Sequence, residues 1–187
     1  MRFETLTGTL HNASALHVLP FMASESVDCI VTDPPYRVIS GGMRLDNTQN
    51  GYATSIVKGI EQGKIFNHND LKPVDYMGEL FRVLKRGTHA YIMTNILNLT
   101  ATIDAARDVG FHFSNLLIWE KNNANANRWY MKNTELTLFF QKKPAVTIND
   151  CGSKQIFRCD NIRGKLHPTQ KPVELMRAHL GGCVTDD

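Results

Sequence analysis

The segment Asp33-Pro34-Pro35-Tyr36 combines residue types that can bind and activate an amino group. An amine attached to an aromatic ring is a poor nucleophile, because its lone pair is delocalised into the ring. The Asp33 carboxylate and the Pro34 carbonyl are two acceptors that could bind both hydrogens of one NH2 group. Such binding would push the nitrogen towards sp3 geometry and return its lone pair. Tyr36 adds a flat face on which a planar ring can stack.

The residues before this segment predict where it lies in the fold. Cys29, Ile30 and Val31 form a near-continuous apolar run, which is typical of a strand buried on both faces of a parallel sheet. Pro34 and Pro35 end that strand, because neither has an N–H group to donate. We therefore expect the segment at the carboxyl end of a central strand, where open α/β sheets bind their ligands.

Composition sets only broad limits. The chain has 187 residues and a formal net charge of +3, which fits one domain and permits a nucleic-acid partner without requiring one. It has no secretory leader and no apolar run long enough to span a bilayer. Its four cysteines contain no C-x-x-C pair and do not suggest a disulfide framework. These features predict a cytoplasmic protein without a membrane partner.

Two motifs carry a family resemblance. Asp33 to Tyr36 is identical to the signature of the amino methyltransferases that use S-adenosylmethionine to methylate adenine N6 or cytosine N4 in DNA. Residues 167–176, His-Pro-Thr-Gln-Lys-Pro-Val-Glu-Leu-Met, resemble the motif that frames the cofactor pocket in the β-class of these enzymes. The two motifs also stand in the β-class order. The chain is therefore identified as resembling a β-class DNA amino methyltransferase.

The resemblance implies a fold and a set of site residues. The implied fold is an α/β, Rossmann-like methyltransferase sheet with helices on both faces, and residues 1–187 would be one partial catalytic domain. S-adenosylmethionine is the implied cofactor. The implied catalytic residues are Asp33, Pro34, Pro35 and Tyr36, and the implied cofactor-binding residues are Asp33, His167, Thr169, Gln170, Lys171 and Pro172.

A metal site is not expected. Cys151, Cys159 and His167 are evenly spaced, but their spacing is not a usual zinc pattern. His167 also belongs to the second motif, which favours a role at the cofactor pocket over metal binding.

The remaining pattern predicts alternating strands and helices. Residues 3–10 and 90–93 read as strands, and residues 13–22 as a short helix. Further helices are predicted over Leu71–Arg86, with an apolar stripe, and over Thr100–Val109, which Gly110 ends. Two more strands, 113–119 and 135–140, complete an alternation that favours a parallel sheet.

Three segments are candidates for DNA contact. Residues 37–70 lack periodicity and could close over DNA, unless they form an ordinary surface loop. Residues 119–122 resemble the family's strand end, and the Asn-rich segment after them is either a DNA-side loop or an exposed turn. Residues 142–166 could form a target-recognition hairpin or a solvated edge hairpin. The candidate DNA-binding residues are Arg37, Arg44, Lys58, Lys121, Asn122 and Arg128.

One family element is missing from the sequence. The β-class continues with a strand and a Gly-rich turn, commonly Asp-Pro-Phe-x-Gly-x-Gly, and no such turn occurs in these residues. The resemblance therefore implies a chain truncated before its main cofactor motif, with weak cofactor binding. It also implies that the Val27 strand has an unpaired edge, which favours self-association or completion by another chain.

The predicted function is site-specific methylation of adenine N6 in double-stranded DNA, as in restriction-modification systems. Asp rather than Ser before Pro-Pro-Tyr favours adenine over the alternative, cytosine N4. Related enzymes that act on RNA or protein glutamine usually carry Asn at the position of Asp33 and lack the second motif. A non-catalytic DNA-binding remnant stays open as a different class of function.

Overall fold

A computed structural model describes residues 2–5, 8–36, 71–125, 130–144, 146–162, 164, 166 and 169–182. Several predicted features fall outside these residues. They are the proposed DNA-closing loop at 37–70, with Arg37, Arg44 and Lys58, and also Arg128 and His167.

The described residues contain seven strands, which form two sheets. Strands β1 (Arg2–Thr5) and β2 (Gly8–His11) pair as an antiparallel hairpin, where the sequence had predicted one strand. The main sheet has the order β3-β4-β6-β5-β7. Its strands are β3 (Val27–Thr32), β4 (Leu84–Thr94), β5 (His112–Asn125), β6 (Lys132–Gln141) and β7 (Ile156–Arg158).

The main sheet is mixed rather than parallel throughout. Strand β3 pairs parallel to β4, and β5 pairs parallel to β7. Strand β6 lies between β4 and β5 and runs antiparallel to both. Within the described residues β3 pairs only with β4, so it is an edge strand, as the sequence predicted.

In the part of the chain that the structure describes, four α-helices accompany the sheet. Helix α1 (Ala15–Val18) continues into a 3-10 helix, Leu19–Phe21. The others are α2 (Pro73–Val83), α3 (Leu99–Val109) and α4 (Val173–Gly181). No helix in the described part of the chain is both long and apolar enough to cross a membrane.

The helices cover both faces of the sheet. Alternate residues of β4 point to opposite faces. Ala90 and Ile92 join the larger core, which includes buried residues of α2 and α3. Met93 instead packs with Trp119 and with Leu175 of α4. The predicted α/β architecture with helices on both faces is therefore confirmed.

Helix α2 ends earlier than its pattern predicted. The helix ends at Val83, and Leu84 is already extended and fully buried at the start of β4. The Nζ atom of Lys142 donates to the carbonyl oxygens of Phe81 and Leu84 at 2.8 and 2.7 Å. A buried ammonium thus satisfies carbonyls that the helix end leaves unpaired.

The segment 142–166 differs from the predicted hairpin. Within its described residues, 146–148 form no strand, and β7 pairs with β5 instead. On α4, Val173 and Leu180 are exposed, and Leu175 and His179 are the buried residues. Cys29 is disulfide-bonded, contrary to the expectation from cysteine spacing.

Candidate active site

The site lies where several strands end at one edge of the sheet. Strands β3, β4 and β5 run in one direction and β6 runs in the other. The carboxyl ends of β3 and β5 and the amino end of β6 therefore meet at the same edge. Asp33 follows directly after β3 at this edge, as predicted, and its side chain is 27% exposed.

The two sequence motifs meet at Asp33. The Nζ atom of Lys171 lies 2.7 Å from Oδ2 of Asp33, although the two residues are 138 positions apart in sequence. The Lys171 side chain is only 12% exposed. It stands just before α4, which Pro172 caps and Leu175 anchors in the core. The fold therefore places the Lys171 ammonium against the Asp33 carboxylate.

A second carboxylate extends the contact into a row of charges. Oε2 of Glu135, in the amino-terminal half of β6, lies 3.4 Å from Nζ of Lys171. Oε1 of the same residue lies 3.1 Å from Nζ of Lys121, whose side chain is 10% exposed. Asp33, Lys171, Glu135 and Lys121 thus alternate in sign, and we call these four residues the charge row.

Burial and the charges of this row shift the pKa values of Lys171 and Tyr36. Burial alone would disfavour the Lys171 ammonium, but the carboxylates of Asp33 and Glu135 outweigh it and raise the pKa of Lys171. Burial, followed by the nearby charges of Asp33 and Glu135, raises the pKa of Tyr36 well above its ordinary range. The Tyr36 hydroxyl therefore stays neutral and donates a hydrogen bond to Asp33.

Lys121 was predicted to contact DNA, but its side chain is largely buried. Its ammonium contacts Glu135 and lies 5.7 Å from the centroid of the Trp119 ring. This ammonium therefore contributes to the site rather than to an exposed surface. Its neighbour Asn122 is exposed, and its side-chain oxygen accepts a hydrogen bond from the Asn161 N–H at 3.2 Å.

The remaining residues of the second motif surround Lys171. The Thr169 carbonyl oxygen lies 3.5 Å from the Lys171 ammonium. The side-chain oxygen of Gln170 accepts a hydrogen bond from the Leu166 N–H at 2.9 Å. Pro172 is buried at the start of α4. Within the described residues 169–172, these contacts hold the segment around Lys171.

Glu135 is the residue that sequence reasoning missed. It was read only as the first residue of a strand. One signal could have identified it, because a charged residue that opens an otherwise apolar strand is unusual unless it has a partner. Its register neighbour on β5 is Trp119, two residues before Lys121, so the pairing of β5 with β6 brings the two charges together.

Comparison with known proteins identifies the family. The family model described as DNA methylase, of the N6 and N4 amino methyltransferase type, matches residues 27–186. The chain belongs to this DNA methylase family. The match includes Asp33, Glu135 and Lys171, so the site described above lies within the matched residues.

Curated relatives are type II DNA methyltransferases. M2.MboI of Moraxella bovis is 23% identical over 208 residues, which cover 95% of this chain and 72% of that protein. M2.LlaDCHI of Lactococcus lactis subsp. cremoris is 27% identical over 207 residues, covering 93% and 71% of the two chains.

Solved structures of DNA methyltransferases share the fold. The complex of M1.HpyAVI with SAM matches with a TM-score of 0.63 at 18% identity, over 94% of this chain and 76% of that one. The cytosine-N4-specific PvuII DNA methyltransferase matches with a TM-score of 0.62 at 13% identity, over 92% and 69%. At these identities the likeness supports the methyltransferase fold alone.

Proposed function

We propose that this DNA methylase transfers a methyl group from S-adenosylmethionine to the N6 atom of adenine at specific sites in double-stranded DNA. The observation that carries the proposal is the 2.7 Å contact between Lys171 and Asp33, which joins the two family motifs at one sheet edge. The Lys171 ammonium holds one oxygen of this carboxylate in place. A carboxylate held in this way can accept the hydrogens of a weakly nucleophilic amine.

Each residue of the first motif has a role in the proposal. The Asp33 carboxylate and the Pro34 carbonyl accept the two hydrogens of the amino group, and Pro35 keeps the turn rigid. Tyr36 offers its ring to the extruded base while its hydroxyl orients Asp33. The amino nitrogen is then held with its lone pair directed away from the two acceptors, ready for in-line attack.

The polar groups at this edge fit parts of S-adenosylmethionine. Its ammonium and sulfonium are cations, and the partly exposed carboxylate of Asp33 suits them. Its carboxylate suits a lysine ammonium or backbone N–H groups of the second motif. We assign its binding to Asp33, His167, Thr169, Gln170, Lys171 and Pro172. When bound, this cofactor supplies the electrophilic methyl group.

Adenine N6 and cytosine N4 are the two candidate targets. Both are exocyclic NH2 groups on planar bases, so the described site chemistry suits either. Asp at position 33, rather than Ser, favours adenine by family resemblance. One fold relative, PvuII methyltransferase, is named as cytosine-N4-specific, so this second candidate is retained.

The proposed function is tested by incubating the protein with duplex DNA and labelled S-adenosylmethionine, then digesting the DNA to nucleosides. We expect N6-methyldeoxyadenosine from the wild type and no product from Asp33→Ala. Only N4-methylcytosine would transfer the assignment to the alternative target. DNA binding without methyl transfer by the wild type would support a non-catalytic DNA-binding protein.

A further inference from the structure

Glu135 binds two lysines through separate oxygens. Its Oε2 lies 3.4 Å from the Lys171 ammonium and its Oε1 lies 3.1 Å from the Lys121 ammonium. The orientation of this carboxylate is thus fixed by two partners on different segments. Lys171 in turn has one carboxylate on β6 and another after β3.

This arrangement bears on how well Asp33 can act as an acceptor. A lysine side chain is long and flexible, and a single ion pair at a partly exposed carboxylate holds it poorly. A second carboxylate holds the Lys171 ammonium at the sheet edge before any ligand arrives. The second carboxylate also balances part of the positive charge of Lys171. Lys171 can then hold Asp33 in place while the Asp33 carboxylate still attracts amine hydrogens.

We propose that Glu135 is a positioning residue for methyl transfer, which holds the Lys171 ammonium on Asp33 and balances its charge. This inference rests on the proposed function. Glu135 touches neither the target amine nor the methyl group in this scheme. It acts through Lys171, and its own orientation is fixed by Lys121.

A purely structural role for Glu135 makes different predictions. The charged or titratable groups that face Lys171 in the described residues are Asp33 and Tyr36, which follow β3, and Glu135 on β6. Lys121 of β5 faces it across Glu135. If Glu135 supports the ammonium, its removal lowers the pH at which Lys171 loses its proton. If Glu135 merely stabilises the fold, that pH does not change.

The decisive variant is Glu135→Gln, with Glu120→Gln as its matched control. Glu120 is also a sheet carboxylate, 2.7 Å from Arg158, and its side chain is 37% exposed compared with 32% for Glu135. We expect Glu135→Gln to lower kcat about tenfold, with little change in KM for DNA. One removed charge contact of about 1.4 kcal/mol corresponds to that factor. Glu120→Gln should retain wild-type kcat.

The pH profile gives a readout that a structural role would not move. At high pH, activity should fall as Lys171 deprotonates and releases Asp33. In Glu135→Gln this alkaline fall should begin at lower pH than in the wild type, because the carboxylate that supports the ammonium is gone. Lys171→Arg keeps a charge that does not titrate. Whatever activity this variant retains should lack the alkaline fall.

A measurement on the protein alone separates this inference from the proposed function. Limited acetylation with acetic anhydride at several pH values, read by mass spectrometry of the Lys171 peptide, reports how protected and how basic that amine is. We expect low reactivity in the wild type and in Glu120→Gln. Glu135→Gln should react faster and at lower pH.

The outcomes are distinct. A wild type that transfers no methyl group rejects the proposed function, while the acetylation profile still decides whether Glu135 supports Lys171. Unchanged Lys171 reactivity in Glu135→Gln would overturn the inference. So would a kcat and an alkaline fall equal to those of the wild type.

Discussion

Acidification should loosen α4 through one buried histidine. His179 is 1% exposed and its Nε2 atom lies 3.2 Å from the Thr137 hydroxyl. Its ring stacks on Tyr91 with centroids 5.1 Å apart and meets the Phe157 ring edge-on at 5.3 Å. Burial among these groups lowers the pKa of His179 from 6.5 to about 4.

The direction and size of the effect follow from proton linkage. Above pH 6.5 the imidazole is neutral in both folded and unfolded chains, so it contributes no pH dependence. Between pH 6.5 and about 4 the unfolded chain binds a proton that the folded chain does not. The free energy of unfolding therefore falls as pH falls, by roughly 3 kcal/mol in total.

Urea unfolding of wild type and His179→Gln, measured at intervals from pH 7 to pH 4, tests this value. His89 is also buried with a lowered pKa, because burial outweighs its contact with the Val146 carbonyl, so it contributes in the same direction. The comparison therefore uses the difference between the two proteins. His17→Gln, at an exposed position of α1, is the control and should follow the wild type.

If the free energy of unfolding of His179→Gln has the same pH dependence as that of the wild type, His179 does not cause the acid destabilisation. Such a result would mean that the imidazole is hydrated or protonated in the folded protein. The expected loss also bears on the site, because α4 begins two residues after Lys171. Displacement of α4 would withdraw the ammonium from Asp33.

Three other predictions concern stability and DNA binding. Lys142→Met should lower the free energy of unfolding by about 2–4 kcal/mol, because two carbonyls at the end of α2 lose a charged donor, and exposed Lys143→Met should not; urea unfolding measures both. Gly110→Ala should destabilise by about 1–3 kcal/mol in the same assay, because φ is +105° and an added Cβ would lie 3.0 Å from the Phe81 ring. Gly78→Ala, in open space on α2, should instead stabilise by about 1 kcal/mol, and equal effects would contradict the reasoning. Replacing Arg37, Arg44 and Lys58 together by Ala should weaken DNA binding and reduce its salt dependence in a fluorescence titration, whereas unchanged binding would reject their role.

Local features of the fold were predictable from the sequence. The apolar run before Asp33, followed by two prolines, correctly indicated a strand that ends at the site. Helix α3 matches its prediction within one residue, because Gly110 adopts the left-handed conformation that ends it. Both features depend on neighbouring residues alone, so the sequence carries them directly.

Long-range pairing limited the prediction elsewhere. The antiparallel placement of β6 between β4 and β5 depends on contacts such as Ala90 with Phe140, which no local pattern encodes. The early end of α2 depends on Lys142, about sixty positions away. Leu84 could therefore be read as the last residue of an apolar helix stripe, although it begins a strand.

The candidate site was likewise predictable only in part. Asp33 and Lys171 were named from motifs, and the structure brings them into contact. Glu135 carries no motif, and its role arises only because the register of β5 and β6 brings it near Lys121. Lys121 itself was assigned to DNA because residues 119–122 resemble the family's strand end, whereas its partner here is Glu135 within the site.

The most direct test of the account is the single-turnover rate of methyl transfer to duplex DNA by Asp33→Asn and Asp28→Asn. Both residues belong to the β3 region and each pairs with a lysine, but Asp28 is exposed and distant from the charge row. We predict that Asp33→Asn lowers the rate of methyl transfer at least about a hundredfold while DNA binding persists, because an amide cannot replace a fixed carboxylate acceptor. Asp28→Asn should retain the wild-type rate. A wild-type rate in Asp33→Asn would show that the carboxylate held by Lys171 does not activate the amine.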